Sequence, residues 1–200
     1  MTQASLRIAA ALFAFCVILR VPLERHMVTH VLLLLPALAA AGWFAGRAIA
    51  RSWPGLRSSD WNAGGATGLL TALLTGAFWM LPRSLDWSLS GPVGEVAKFI
   101  SLPLLLGLPL ALSWRRVQLL VRGFLKASAI SMALTLAWVY ANAPVRLCTS
   151  YLTGQQEQLG EGFLWLAVLL GVLWTAPALG VWLPAWSARR LPSLVPGHLP

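Results

Sequence analysis

The sequence is dominated by apolar runs, each close to the twenty or so residues that a helix needs to cross the hydrocarbon core of a bilayer. Arginines and prolines gather in the stretches between them. Of the 200 residues, 58% are hydrophobic and 10% are charged. A soluble domain carries about 25% charged residues, so there is not enough polar surface here to clothe a soluble globule. The pattern predicts an all-α, polytopic membrane helix bundle with about six transmembrane helices. It forms a single domain over residues 1–186, with spans near 6–23, 26–46, 64–82, 93–113, 117–141 and 156–183, and a tail over 187–200.

The net charge of +9 invites a nucleic-acid reading. The cations, however, sit in short clusters between apolar runs, where orientation signals sit. The expected partner is the lipid bilayer and no nucleic acid. Arg7, Arg47, Arg51, Arg57, Arg115, Arg116, Arg122, Lys126, Arg189 and Arg190 fall on one side of the alternating spans. Arg20, Arg25, Arg83, Lys98 and Arg146 fall on the other. Ten against five puts both termini in the cytoplasm by the positive-inside rule. For a bacterial chain this makes a multi-pass protein of the inner (plasma) membrane.

Several local features refine the runs. Arg7 and Arg20 bracket a short first helix without a small-x-small cleavage site after it. Gly64, Gly68, Ala72 and Gly76 fall four apart and form a smooth ridge for close helix packing, with Thr71 and Thr75 beside it to bond across. Arg83, Asp86 and Trp87 lie in an expected loop. Glu95 and Lys98, one turn apart, are expected to form an interfacial pair. Pro103, Pro109 and Pro177 are expected to bend their helices. Thr153 and Gln156 have the spacing of a capping box. Cys16 reads as a packing residue, Cys148 lies in a loop, and a disulfide between them is not expected.

The best candidate for chemistry is Arg25-His26-Met27-Val28-Thr29-His30, which opens the second run. Histidines four apart on a helix share a face, and Met27 lies close to it. Imidazole with thioether suits copper. The predicted topology puts His26, Met27, His30 and Cys148 on the outer, periplasmic side. Gln158, Glu161 and Trp165 share a face of the sixth helix near the same surface. There Glu161 is a candidate second acceptor for a histidine N–H, and an interfacial carboxylate is the alternative.

His26-Met27-Val28-Thr29-His30-Val31-Leu32-Leu33-Leu34 resembles the His-Met-x-x-His-Leu-Leu-Leu signature of the CtaG family. These are integral-membrane cytochrome c oxidase assembly factors thought to serve copper insertion. Residues 156–165 resemble the family's Asp-Gln-Gln-Leu-Gly-Gly run before a tryptophan. Gln158, Leu159, Gly160 and Trp165 match without a gap. Thr29 stands where glutamine is common, Gln156 replaces the acid, Glu157 a glutamine and Glu161 a glycine, and the chain is short for the family. The resemblance implies a membrane protein, not an enzyme, that assists oxidase assembly by transient copper binding. His26, Met27, His30 and Cys148 are then the candidate ligands, with oxidase subunits or a periplasmic copper chaperone as partners. The alternative is a transporter or a structural subunit of a respiratory complex without a metal site. Two bis-histidine haems would need more histidines than the three the chain has, His26 and His30 fall on one helix rather than on facing ones, and a single haem with His/Met ligation stays open. Hydrolase, di-iron and aspartyl-protease patterns are not found.

Overall fold

The structure, a computed structural model, describes residues 2–53, 55 and 60–176. Among the described residues every regular element is helical. The elements are α1 (Thr2–Ile18), α2 (Arg20–Glu24), α3 (Met27–Ser52), α4 (Ala66–Met80), α5 (Pro82–Ser90), α6 (Pro92–Ser113), α7 (Leu119–Asn142) and α8 (Thr153–Thr175). Four of these, α3, α6, α7 and α8, are long and apolar enough to cross a membrane, while α1 and α4 are shorter apolar helices. The four long helices overlap the second, fourth, fifth and sixth expected runs, and the two shorter ones overlap the first and third. The end expected for the last span, Pro177 and the tail over 187–200 lie outside the described residues.

The centre of the bundle is α3 against α6. Lys98 lies beside His30, Gly107 beside Ala39 and Gly42, and Gly46 beside Leu108 and Ala111, so the two helices run in the same direction. A Cβ on Gly42 would strike the backbone of Pro103, and one on Gly107 would strike the carbonyl of Ala39. Only glycine allows this approach. In lipid such packing, rather than the hydrophobic effect, holds helices together.

The other helices flank this pair. α1 is antiparallel to α3, with Arg51 donating to Ser5 Oγ across 3.1 Å. α4 is antiparallel to α6: Gly68 meets Ser113, Gly76 meets Leu106, and Trp79 Nε1 donates to Ser101 Oγ at 2.8 Å. α7 packs chiefly on α8, where Gly160 nests against Ala137 and Ala141 and Tyr140 stacks on Phe163. α8 in turn docks on the start of α3, with Gly162 against Leu32.

Both α3 and α6 contain a wide π turn, His30–Leu34 and Leu102–Gly107. In each, an N–H reaches back five residues, from Leu35 to His30 and from Leu108 to Pro103. In each, the turn ends two residues before a proline, Pro36 or Pro109. A proline has no N–H to give and its ring crowds the carbonyl four residues back. The wider turn takes up that misfit and lets the helix continue. Pro103 and Pro109 are thus absorbed without ending α6.

Some local expectations are corrected. Residues 82–90 form a helix, not a loop: Leu81 is extended, Pro82 occupies the first turn, and Ser84, Leu85 and Ser88 are buried. Proline at the first helical position, where no N–H is required, favours this start. Gly64 is not part of the α4 ridge. It lies before the helix at φ +67°, followed by Gly65 at +80° as the left-handed entry residue. Gly68, Ala72 and Gly76 do form the ridge, toward α6. Thr71 and Thr75 donate to the carbonyls four residues back in their own helix, at 2.9 and 2.8 Å, rather than across. Such back-bonding satisfies a hydroxyl locally in an apolar setting.

Candidate functional site

One cluster of ionisable side chains lies inside the bundle, at the end where α3 and α6 begin. α2 ends at Glu24, the chain turns at Arg25 and His26, and α3 starts at Met27. Thr29 Oγ1 pins this corner by donating to the Leu23 carbonyl at 2.6 Å, with the His26 carbonyl 3.0 Å away as its other acceptor in reach. One turn into α3 stands His30, with no exposure, and opposite it on α6 stands Lys98, also with none.

These residues and Tyr151 close a ring. The Lys98 ammonium donates to Glu24 Oε1 at 2.5 Å and to His30 Nε2 at 3.1 Å. His30 Nδ1 lies 2.7 Å from the Tyr151 hydroxyl, which donates to the Glu24 carbonyl at 2.8 Å. The protons follow from this. Tyr151 has one proton and gives it to Glu24, so it accepts from His30 Nδ1–H. A neutral imidazole protonated at Nδ1 has its lone pair on Nε2, and Lys98 uses that lone pair. The ring therefore holds a cation, a carboxylate, a neutral imidazole and a neutral phenol, with no net charge. Such closure is what an apolar surrounding demands of ionisable groups.

Beside the ring, Arg20 pairs with Glu95 at 2.6 Å. Glu95 and Lys98 thus do not pair with each other. Each reaches across to the α1–α2 segment, Glu95 to Arg20 and Lys98 to Glu24.

Tyr151 is placed by the loop between α7 and α8, whose backbone is held at many points. Asp86 on α5 accepts from Thr149 N at 2.8 Å, Thr149 Oγ1 at 3.0 Å and Ser150 N at 3.0 Å. Burial alone would raise the Asp86 carboxyl, but these hydrogen bonds outweigh it and hold the group below its ordinary value. Arg146 donates to the carbonyls of Thr149 and Tyr151. Gln156 accepts from Leu147 N at 2.8 Å and is buried. It makes no capping box: Leu152 is the N-cap residue of α8 and no side chain caps it. Burial and the Glu24 carboxylate push the Tyr151 phenol well above its usual range, so it stays a neutral donor.

The candidate ligands are not drawn together. His26 is the extended N-cap residue of α3 and is exposed, whereas His30 is inside. Met27 is fully buried in the apolar core with Cys16, Leu34 and Leu159. Cys148 is buried, with Sγ 3.8 Å from the Pro82 carbonyl, and burial followed by nearby Asp86 pushes its thiol up to about 12. Among the described residues no three His, Cys, Asp or Glu side chains gather as a metal site would require. As placed, this donor set does not fit copper, because the inward-facing His30 already has both ring nitrogens engaged. Gln158, Glu161 and Trp165 share a face of α8 as expected, but that face is exposed and none of the three is bonded to the ring. The acceptor for the histidine N–H is Tyr151 instead of Glu161.

No family model matches the chain, and no curated protein or solved structure matches it either.

Proposed function

We propose that this chain is a CtaG-like protein of the bacterial plasma membrane, with six spans and cytoplasmic termini, that assists cytochrome c oxidase assembly from the outer face. One observation carries the reading. The two stretches behind the resemblance, far apart in sequence, pack on each other: a Cβ on Gly162 would lie 2.6 Å from Leu32 Cδ1. Leu159 and Phe163 share one core with Met27, Val31 and Leu34. A resemblance that rests on two short motifs gains weight when both build one end of one bundle.

The copper part of the reading rests on His26 and His30, with Met27 or Cys148. Since Lys98 holds His30 Nε2, that same contact favours a second reading. In it the protein is a metal-free structural or transport subunit of a respiratory complex, and the ring is its internal clamp.

Cu(I) competition with a chromophoric chelator, on the detergent-purified chain beside a His26→Ala/His30→Ala variant, separates the two. About one equivalent bound by the parent and lost in the variant supports copper hand-over. Equal binding by both, or none by the parent, sinks it. Oxidase activity and subunit content in a strain lacking the protein then test the assembly role independently of metal.

A further inference from the structure

We propose that the furrow between α1 and α6 holds one phospholipid with a primary-amine headgroup, phosphatidylethanolamine. A chain of the lipid lies along α3 and its headgroup sits on Arg20 and Glu95. α1 and α6 both pack on α3. They run antiparallel to each other and leave a trough with α3 as its floor. Two contacts bridge it. Arg20 Nη1 meets Glu95 Oε1 at 2.6 Å, and Phe13 meets Phe99 edge to face with ring centroids 6.2 Å apart.

The trough has the polarity order of an amphiphile. Arg20 and Glu95 stand at its ring end, followed by Val17, Val96, Phe13 and Phe99. Past Phe13 it continues between Ala9 and Leu104, over Ala41, Gly42 and Ala45. The small side chains of α3 keep this floor low. Both stretches share Phe13, so they form one surface. From Glu95 to Leu108 the trough runs roughly 20 Å, at 1.5 Å per helical residue. One leaflet's hydrocarbon is about 15 Å deep, half of a bilayer core. The length suits one acyl chain, and Val17, Val96 and Leu104 are exposed to meet it.

The headgroup follows from charge. The ion pair engages one nitrogen of Arg20 and one oxygen of Glu95, whereas a guanidinium has five N–H donors and a carboxylate two oxygens. The two side chains are 49% and 25% exposed, so a headgroup can reach both. Together they are neutral, which suits a zwitterion better than an anion. The phosphate accepts from Arg20 and the ammonium donates to Glu95, both through charge-assisted hydrogen bonds. The quaternary ammonium of phosphatidylcholine has no N–H to give the carboxylate. Phosphatidylglycerol has no cation to bring.

The test is thermal unfolding and native mass spectrometry of the detergent-purified full chain. Phosphatidylethanolamine, phosphatidylcholine and phosphatidylglycerol with the same chains are compared, beside phosphoethanolamine without chains. Phosphatidylethanolamine is expected to raise the parent's Tm by several degrees and to stay bound as one molecule in the gas phase. The other two lipids should bind about ten-fold more weakly or less, the scale of one lost charge-assisted bond. Arg20→Gln and Glu95→Gln, both at partly exposed positions, should each lose a similar factor for phosphatidylethanolamine. Val96→Trp fills the upper trough from an exposed position and should also lose binding with the ion pair intact. Leu169→Trp, an exposed change on α8, should lose none. An equal response of the parent to all three lipids would overturn the headgroup assignment, whether or not the variants fold. Unchanged binding in Arg20→Gln, Glu95→Gln and Val96→Trp would overturn the site. An equal rise with phosphoethanolamine would overturn the role of the trough.

Discussion

Lys98 and His30 meet end to end, with Nζ 3.1 Å from Nε2 and neither side chain exposed. The contact joins two helices that run side by side, and it settles the state of both groups. An ammonium that donates to Nε2 keeps a proton or a metal ion off that nitrogen. The imidazole in turn gives the ammonium a second acceptor besides Glu24. Neither helix could carry its ionisable group into an apolar bundle alone, since an unpaired charge there costs several kcal/mol.

The Glu24–Lys98 pair is unequal in exposure, 16% against 0% for the side chains. Glu24→Gln therefore leaves a fully buried ammonium without its counter-ion, whereas Lys98→Met leaves a carboxylate that water can reach. Removing one partner of a buried pair costs about 3–5 kcal/mol. Glu24→Gln is expected at the upper end and Lys98→Met at or below the lower. The double variant should resemble Lys98→Met, because Glu24 then has no charge to satisfy. Thermal unfolding of the four proteins in detergent gives the cycle. Equal losses in the two single variants would contradict the assignment of charge.

Tyr151→Phe removes one hydroxyl and strands two groups, His30 Nδ1–H and the Glu24 carbonyl. Each buried group left without a partner costs about 1–3 kcal/mol. The variant should unfold at lower temperature, and the nitrogen-15 spectrum of His30 should report loss of the Nδ1–H tautomer expected in the parent. A parent spectrum with the proton on Nε2 would break the ring as drawn.

The four long helices were legible because each is a long apolar stretch with arginines near its ends, and the bundle contains helices in those places. The ring was not. Glu24 and Lys98 lie 74 residues apart, and the nearer acid, Glu95, drew the obvious pairing. Tyr151 stands in a short polar loop with no periodicity to mark it. The one available signal was Lys98 itself, a cation a full turn inside an apolar run, where a partner is required. The His26/His30 face misled because the four-residue rule holds only within a helix. α3 begins at Met27, so His26 is extended and its side chain leaves the shared face. Gly42, Gly46 and Gly107 escaped notice because α3 has two of the three contact glycines and α6 the other, and neither run alone shows a full ridge.

Glycine substitutions should separate tight contacts from open positions. Gly107→Ala places a methyl on the Ala39 carbonyl and the Trp43 backbone, neither of which can swing aside. A loss of about 3 kcal/mol or more and poor accumulation in the membrane are expected. Gly76→Ala meets only the end of Leu106, 3.3 Å away, and should change stability by less than about 1 kcal/mol. Gly171→Ala meets nothing within 4 Å, and should be neutral or slightly stabilising through helix propensity. Accumulation and Tm of the three variants rank them, and a tolerant Gly107 would mean that α3 and α6 do not pack this closely.

The Asp86 clamp should give the α7–α8 loop a defined pH response. Its carboxyl lies below the ordinary value of 3.8 in the folded protein. A depressed carboxyl contributes stability that is present above the unfolded value and is lost as pH falls through the folded one. The loop should thus be fully held at neutral and mildly acidic pH and loosen only in strong acid. Hydrogen exchange of the Thr149 and Ser150 amides reads this directly. Asp86→Asn removes the charge and should accelerate exchange about ten-fold at pH 7, equivalent to about 1–2 kcal/mol of local stability, with little further change on acidification. Exchange in the parent that rises already between pH 7 and 5 would show that another group, not Asp86, governs the loop.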